Sequence, residues 1–340
     1  MQKNQQYAVI ALMLLGLLLF HFVQQGLWQW LSHDFHDGGW ACQLAARISP
    51  QQASPLTGIE GRFLWTSSTI LLLVSIGMLI AASAHSLIQR LPSRRLPVAL
   101  GLTLTLLALL GLLFANTTPD HQQFMQLNSG PECGFAEQEG FTFMRYLLLM
   151  FQPYYRPGTL DYLSYAEVIL PPLLLLTNLL LLLGLLATAW PTEPSSRSPE
   201  ELATRIARYR LMLLLASALF TAIALYHMSE YTWFAQVVAV SDSQDANLMR
   251  GLQRGVTLYF GVTNSLALCL FFAPIGWLLW RQALALSSQE TLETPQAREA
   301  WLAQHGLKLF SGHLMQIGAL FAPLLVSSGL TLLQQAFQGG

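Results

Sequence analysis

Residues 168–190 read VILPPLLLLTNLLLLLGLLATAW, a stretch without a charged side chain. As a helix it would be about 35 Å long at 1.5 Å per residue, and bilayer hydrocarbon is about 30 Å thick. In water such a helix would expose apolar surface on every side, so this run constrains the chain more than any other feature: it belongs in a membrane. Five further stretches meet or approach the same length, at 7–23, 64–84, 97–116, 211–228 and 256–280. A seventh, 315–333, contains Gly318, Pro323 and Gly329, with His313 and Gln316 at its entrance. Membrane helices tolerate such breakers where neighbouring helices cover the freed backbone groups.

The rest of the composition agrees. The 340 residues are 53% hydrophobic and 10% charged, against about 25% charged in ordinary soluble chains. The expected fold is all-α, a polytopic transmembrane helical bundle of about seven spans. The formal charge of -1, without a basic run or an interleaved aromatic-basic patch, argues against nucleic acid as a partner. MQKNQQ before the first apolar run resembles the basic start of a signal peptide, but no small-x-small cleavage site follows closely, so the run reads as a retained first span.

Basic residues between spans are retained on the cytoplasmic side. With the amino terminus inside, the inner segments hold Lys3, Arg90, Arg94, Arg95, Arg197, Arg205, Arg208, Arg210, Arg281, Arg298 and Lys308; the outer ones hold Arg47, Arg62, Arg145, Arg156, Arg250 and Arg254. The imbalance predicts a cytoplasmic amino terminus and an outer carboxyl terminus. Short loops and the lack of sorting signals point to a bacterial inner membrane.

This orientation puts Cys42 and Cys133 in separate outer loops on the oxidising side, which predicts a disulfide between them. Free thiols are the alternative, because a bridge needs Cα atoms within about 7 Å. Cys269 lies in the sixth span as a small packing residue.

The expected organisation is a first span at 1–23, an outer loop with an amphipathic helix at 24–63, and the second and third spans within 64–116. An outer loop with an interfacial aromatic helix follows at 117–166, then the fourth span at 167–190 and a cytoplasmic linker at 191–210. The fifth and sixth spans fill 211–280, a cytoplasmic linker helix 281–308, and the seventh span and carboxyl terminus 309–340. The two outer loops are too long for bare turns and predict a small extracytoplasmic cap. In the second of them, residues 141–151 are too short to span and too apolar for water. They read as an interfacial helix, with Tyr154, Tyr155, Tyr162 and Tyr165 at headgroup level; a groove for a lipid or isoprenoid is the alternative reading.

On the inner side, SPEELATRIARYR carries Ser198 as N-cap and Pro199 at the first helical position. TPQAREAWLAQHG repeats this with Thr294 and Pro295 and stops at Gly306. Each is expected to lead directly into the next span. Trp301 and Leu302 are expected to lie on the inner leaflet, with docking of a soluble partner as the alternative.

Ionisable groups deep in a bilayer are costly and point to function. In YHMSEYTW, His227 and Glu230 are three apart on one helical face, as a ligand pair or proton relay requires. Counted from Arg210 they lie about 25 Å and 30 Å along the axis, at the outer interface, where a hydrated or paired His and Glu is the simpler reading. Tyr226, Tyr231 and Trp233 would then be aromatic-belt residues. Asn178 and Asn264, within apolar helices, are expected to join helices. The middle of every span lacks a carboxylate, which argues against ion-driven transport.

The densest polar cluster is LSHDFHDGGW at 31–40. Continued as a helix, it places Leu27, Leu31 and Phe35 on one face and His33, His36 and Asp37 on the other. Imidazole and carboxylate at this spacing converge on a divalent transition metal, but the face supplies at most three ligands, and a complete site would need His121, Glu230 or another outer residue. A solvated face is the expected reading, and no cofactor is predicted. Gly-x-Ser-x-Gly, His-Glu-x-x-His and Walker-type patterns are absent.

The role expected from these features is a non-catalytic integral membrane subunit, anchor or sensor. It would act through membrane lipids and a protein partner or a second copy of itself. One alternative is a channel or carrier for a neutral or apolar solute, lined by glycines, serines and amides of the second, sixth and seventh spans. The other is a metal-dependent membrane enzyme acting at the outer surface through His33, His36, Asp37, His227 and Glu230.

Overall fold

The computed structural model describes residues 59–90, 159–189, 198–238, 243–289, 294–308 and 313–338. The expected first and third spans, the segment at 31–40, Cys42, Cys133 and most of both outer loops lie outside the described residues.

The described chain is all-helical: α1 Ile59–Arg90, α2 Thr159–Ala189, α3 Pro199–Val238, α4 Ser243–Ser287, α5 Pro295–Gln304 and α6 His313–Gln338. Three stretches, Ile59–Gln89, Pro199–Trp233 and Gln253–Ser287, are long and apolar enough to cross a membrane, and Leu173–Ala189 and Ile317–Gly329 form shorter apolar helices. These are the dimensions of an integral membrane protein. Many hydroxyls within the helices bond back one turn, as in Thr69 to the Trp65 carbonyl (2.7 Å), Thr177 to Leu173 (2.7 Å) and Thr257 to Gln253 (2.6 Å), whereas the buried hydroxyls of Ser83 and Thr221 have no hydrogen-bond partner among the described residues. Such bonds let small polar residues sit in apolar surroundings without an unsatisfied hydroxyl.

Helix α3 is the centre of the bundle, packed on α1, α2, α4 and α6. It runs antiparallel to α1, since Ser68 meets Ser229 near one end and Gln89 meets Arg208 near the other. It is antiparallel to α4, with Gln253 beside Thr232 and Phe272 beside Tyr209. α6 is antiparallel to α4, with Leu324 beside Ser265 and Ser327 beside Gly261, and so lies parallel to α3, which it meets at Ser217 and Ala319. Lipid tails are as apolar as leucine, so helix association inside a membrane rests on close packing and interhelical hydrogen bonds more than on burial. Ala216, Ala222 and Ala267 are fully buried and allow that approach.

The amino-terminal caps fall where the sequence places them: Ser198 Oγ accepts from Glu201 N (3.2 Å), and Thr294 Oγ1 accepts from Ala297 N (3.1 Å). SPEELATRIARYR continues without a break into the long α3, as expected. The second linker helix differs. α5 ends at Gln304, and Gly306, with φ of 69°, turns the chain before α6 begins at His313. A left-handed residue ends a helix, and glycine adopts that conformation without a Cβ penalty.

Leu302 also departs from expectation. It is buried in one core with Leu202 and Leu307, and Trp301 packs against that core. Leu302 faces neither the leaflet nor a soluble partner. Leu302 is the buried side chain of α5, and Trp301 beside it is half-buried against the same core.

Candidate functional site

The end of the bundle formed by the start of α1, the end of α3 and the start of α4 holds the described histidine–carboxylate pair. His227 Nδ1 and Glu230 Oε2 are 3.4 Å apart, as their i,i+3 spacing allows. The His227 ring stacks on Phe260 of α4, with centroids 3.9 Å apart and planes 8° from parallel. The Glu230 side chain is largely enclosed, whereas His227 keeps about a third of its surface open (12% and 30% exposed). Phe260 thus sets the ring plane, and the carboxylate approaches the edge that carries Nδ1. By its residue types the pair can contribute two ligands to an ion.

Its surroundings are aromatic and tightly closed. Trp65 from α1 sits against Tyr226 (6.2 Å) and Trp233 (5.8 Å), and all three are buried, as is Tyr231. The expectation of an aromatic belt formed by Tyr226, Tyr231 and Trp233 is therefore corrected. α1 and α4 cover those faces of α3, so the rings fill helix interfaces instead of meeting headgroups. Beside them Ser68 and Ser229 share a hydroxyl bond of 2.7 Å, Gln253 Nε2 donates to Thr232 Oγ1 at 2.6 Å, and Gln236 Oε1 accepts the first-turn N–H of Gly61 at 2.9 Å.

Among the described residues, no group of three or more histidines, cysteines, aspartates or glutamates gathers as a metal site would require. His33, His36 and Asp37, proposed as the complement of His227 and Glu230, lie outside the described residues.

Deeper in the bundle, polar groups serve as joints. Asn264 Nδ2 donates to the Phe220 carbonyl (3.0 Å), as expected of an amide joining helices, and Tyr209 donates to the Phe272 carbonyl (3.0 Å). Asn178 does not repeat this through its Oδ1, which is buried with no hydrogen-bond partner among the described residues. Around Pro323 the repair is extensive. Proline has no N–H, so the carbonyl four residues earlier, on Ala319, lacks its helical donor; Ser217 Oγ of α3 supplies one at 2.7 Å. Ser265 Oγ of α4 accepts the N–H of Leu324 at 3.2 Å, and Ser327 bonds the Pro323 carbonyl at 2.6 Å. Gly261 leaves room for this contact, since a Cβ there would lie 2.6 Å from Ser327 Oγ.

The opposite end of the bundle is built from arginines of α3. Arg205 is buried (3% exposed), with its Nε donating to the Thr188 carbonyl at 2.8 Å and its Nη2 to the Ala189 carbonyl. These are last-turn carbonyls of α2, a helix with no basic residue of its own there, and a cation at that position also opposes the helix dipole. Arg208 reaches Gln89 of α1, and Arg210 reaches the Lys308 carbonyl. The roles of Ser217, Ser265 and Arg205 were not visible as sequence motifs. Pro323 signalled a freed carbonyl, but nothing in the chain marks which serine answers it. Neither the family models, nor the curated proteins, nor the solved structures gave a match to this chain.

Proposed function

We propose that this protein is a non-catalytic integral membrane subunit, anchor or sensor acting through protein partners or lipids. The observation that supports this best is the use of its interior polar side chains. Ser217, Tyr209, Asn264 and Ser265 are each bonded to the backbone of a neighbouring helix. Ser265 and Asn264 belong to a span that the alternative reading, a channel or carrier, would use as a solute path, and both are bonded to neighbouring helices.

The finer topology that accompanies this reading is seven spans, a cytoplasmic amino terminus, a bacterial inner membrane, and an outer cap braced by Cys42 and Cys133. It is supported by the division of basic residues between alternate segments of the sequence. Affinity purification of the full chain from cross-linked membranes tests the role. A partner or a second copy recovered in fixed stoichiometry is expected, whereas turnover of a substrate by the isolated chain overturns the reading.

A second reading, a metal-dependent enzyme at the outer surface, draws on the 3.4 Å approach of His227 to Glu230. It requires His33, His36 and Asp37 to supply the remaining ligands.

A further inference from the structure

The outward face of α4 carries an ordered series of exposed side chains: Leu258, Val262, Leu266, Ala273, Trp277 and then Arg281. From Leu258 to Trp277 the helix rises about 29 Å, close to the hydrocarbon thickness of a bilayer, and Arg281 lies about 6 Å farther on. That is the depth of lipid phosphate when the apolar face is set in hydrocarbon. Trp277 is 51% exposed, whereas Trp65 and Trp233 are buried at 5% and 1%; an indole left outside a bundle suits the boundary where an apolar ring meets polar headgroups.

The Arg281 guanidinium lies over the Trp277 ring, 5.1 Å from its centroid. This geometry holds the long side chain against the helix while its donors remain available. Among the described residues no carboxylate is paired with Arg281. Arg205, Arg208 and Arg210, at the same end of the bundle, are bonded to other parts of the protein. Arg281 therefore presents an exposed positive charge, fixed by an aromatic ring, at the end of an apolar strip that fits an acyl chain.

We propose that Trp277 and Arg281 form a binding site for an anionic phospholipid. Arg281 would hold the headgroup phosphate, Trp277 would cover the glycerol region, and one acyl chain would lie along Ala273, Leu266 and Val262. The occupant is a lipid and not a free anion because the charge is continuous with about 29 Å of apolar helix face. This deepens the reading above by naming the lipid class, and it rests on that reading's placement of α4 in the membrane.

The test is native mass spectrometry of the full chain in detergent, titrated separately with phosphatidylglycerol, phosphatidylcholine and inorganic phosphate. Wild type is expected to retain phosphatidylglycerol in preference to phosphatidylcholine. Arg281→Gln should weaken phosphatidylglycerol binding about tenfold, the loss expected for a hydrogen-bonded charge pair. Trp277→Ala should weaken it less, and Arg298→Gln, an exposed arginine on α5, should leave it unchanged. Arg281→Lys, which keeps the charge, should retain more binding than the glutamine variant and serves if that variant does not fold. Equal retention by wild type and Arg281→Gln, equal binding of the two lipids, or inorganic phosphate competing at the lipid's own concentration would each overturn the site. Those results leave partner recovery unaffected, whereas turnover by the isolated chain overturns the broader role and leaves the lipid titration standing.

Discussion

Ser217 Oγ on α3 donates a 2.7 Å hydrogen bond to the carbonyl of Ala319 on α6, the group that Pro323 deprives of its helical donor. The break in the last helix and its repair thus lie on different elements, about a hundred residues apart in sequence. In hydrocarbon an uncovered carbonyl has no water to turn to, so this contact makes the proline compatible with a membrane helix.

Ser217→Ala is accordingly expected to lower stability by about 1 kcal/mol, the scale of interhelical hydrogen bonds in membranes. The same substitution in a Pro323→Ala background should cost less, because an N–H at position 323 restores the helical partner of Ala319. A double-mutant cycle by unfolding in detergent measures the difference. Equal costs in both backgrounds would show that Ser217 acts by packing alone.

Gly261→Ala should destabilise by about 1–3 kcal/mol, the usual cost of inserting a methyl into a closed contact. Its Cβ would stand 2.6 Å from Ser327 Oγ and 2.7 Å from Ser327 Cβ. Combining it with Ser327→Gly should recover part of the loss in the melting temperature. Gly255→Ala, whose Cβ meets nothing within 4 Å, is the matched control and should be neutral or slightly stabilising.

Arg205→Met should cost about 2–3 kcal/mol, since it removes a charged donor from two buried carbonyls. Lysine at this position should recover little, because a single ammonium does not reproduce the two-pronged geometry by which Arg205 meets both Thr188 and Ala189. Hydrogen exchange at the α2 end would register the change before global unfolding does.

Elemental analysis of the purified full chain is expected to show less than one transition-metal ion per protein. Stoichiometric metal that disappears in both His227→Ala and His33→Ala would transfer support to the enzyme reading. Under the preferred reading His227→Ala alters only local packing, through the lost stack on Phe260.

For the cysteines, tryptic mapping without reductant should recover Cys42 and Cys133 in one linked peptide. Cys42→Ser should leave Cys133 open to alkylation. A wild-type chain that alkylates at both positions would remove the brace from the proposed cap.

Much of the helical framework was legible in the sequence, because a membrane span must be apolar over a fixed length whatever it packs against. Both amino-terminal caps and the stop at Gly306 were legible for a similarly local reason: they concern backbone groups within a few residues. The 3.6-residue helical repeat also brought His227 and Glu230 together without reference to any other helix. The sequence could not say which aromatic rings meet lipid and which meet helices. Tyr226, Tyr231 and Trp233 have the composition of a belt, yet α1 and α4 cover them, and Trp277 stays outside. Leu302 likewise faces the bundle, because α5 packs on α4 and its leucine joins the common core. Helix existence follows from the chain's own hydrogen bonds and hydropathy, whereas the face a helix buries depends on its neighbours. The tertiary structure therefore decided that Ser217 repairs Pro323, that Arg205 closes α2, and that Arg281 remains exposed.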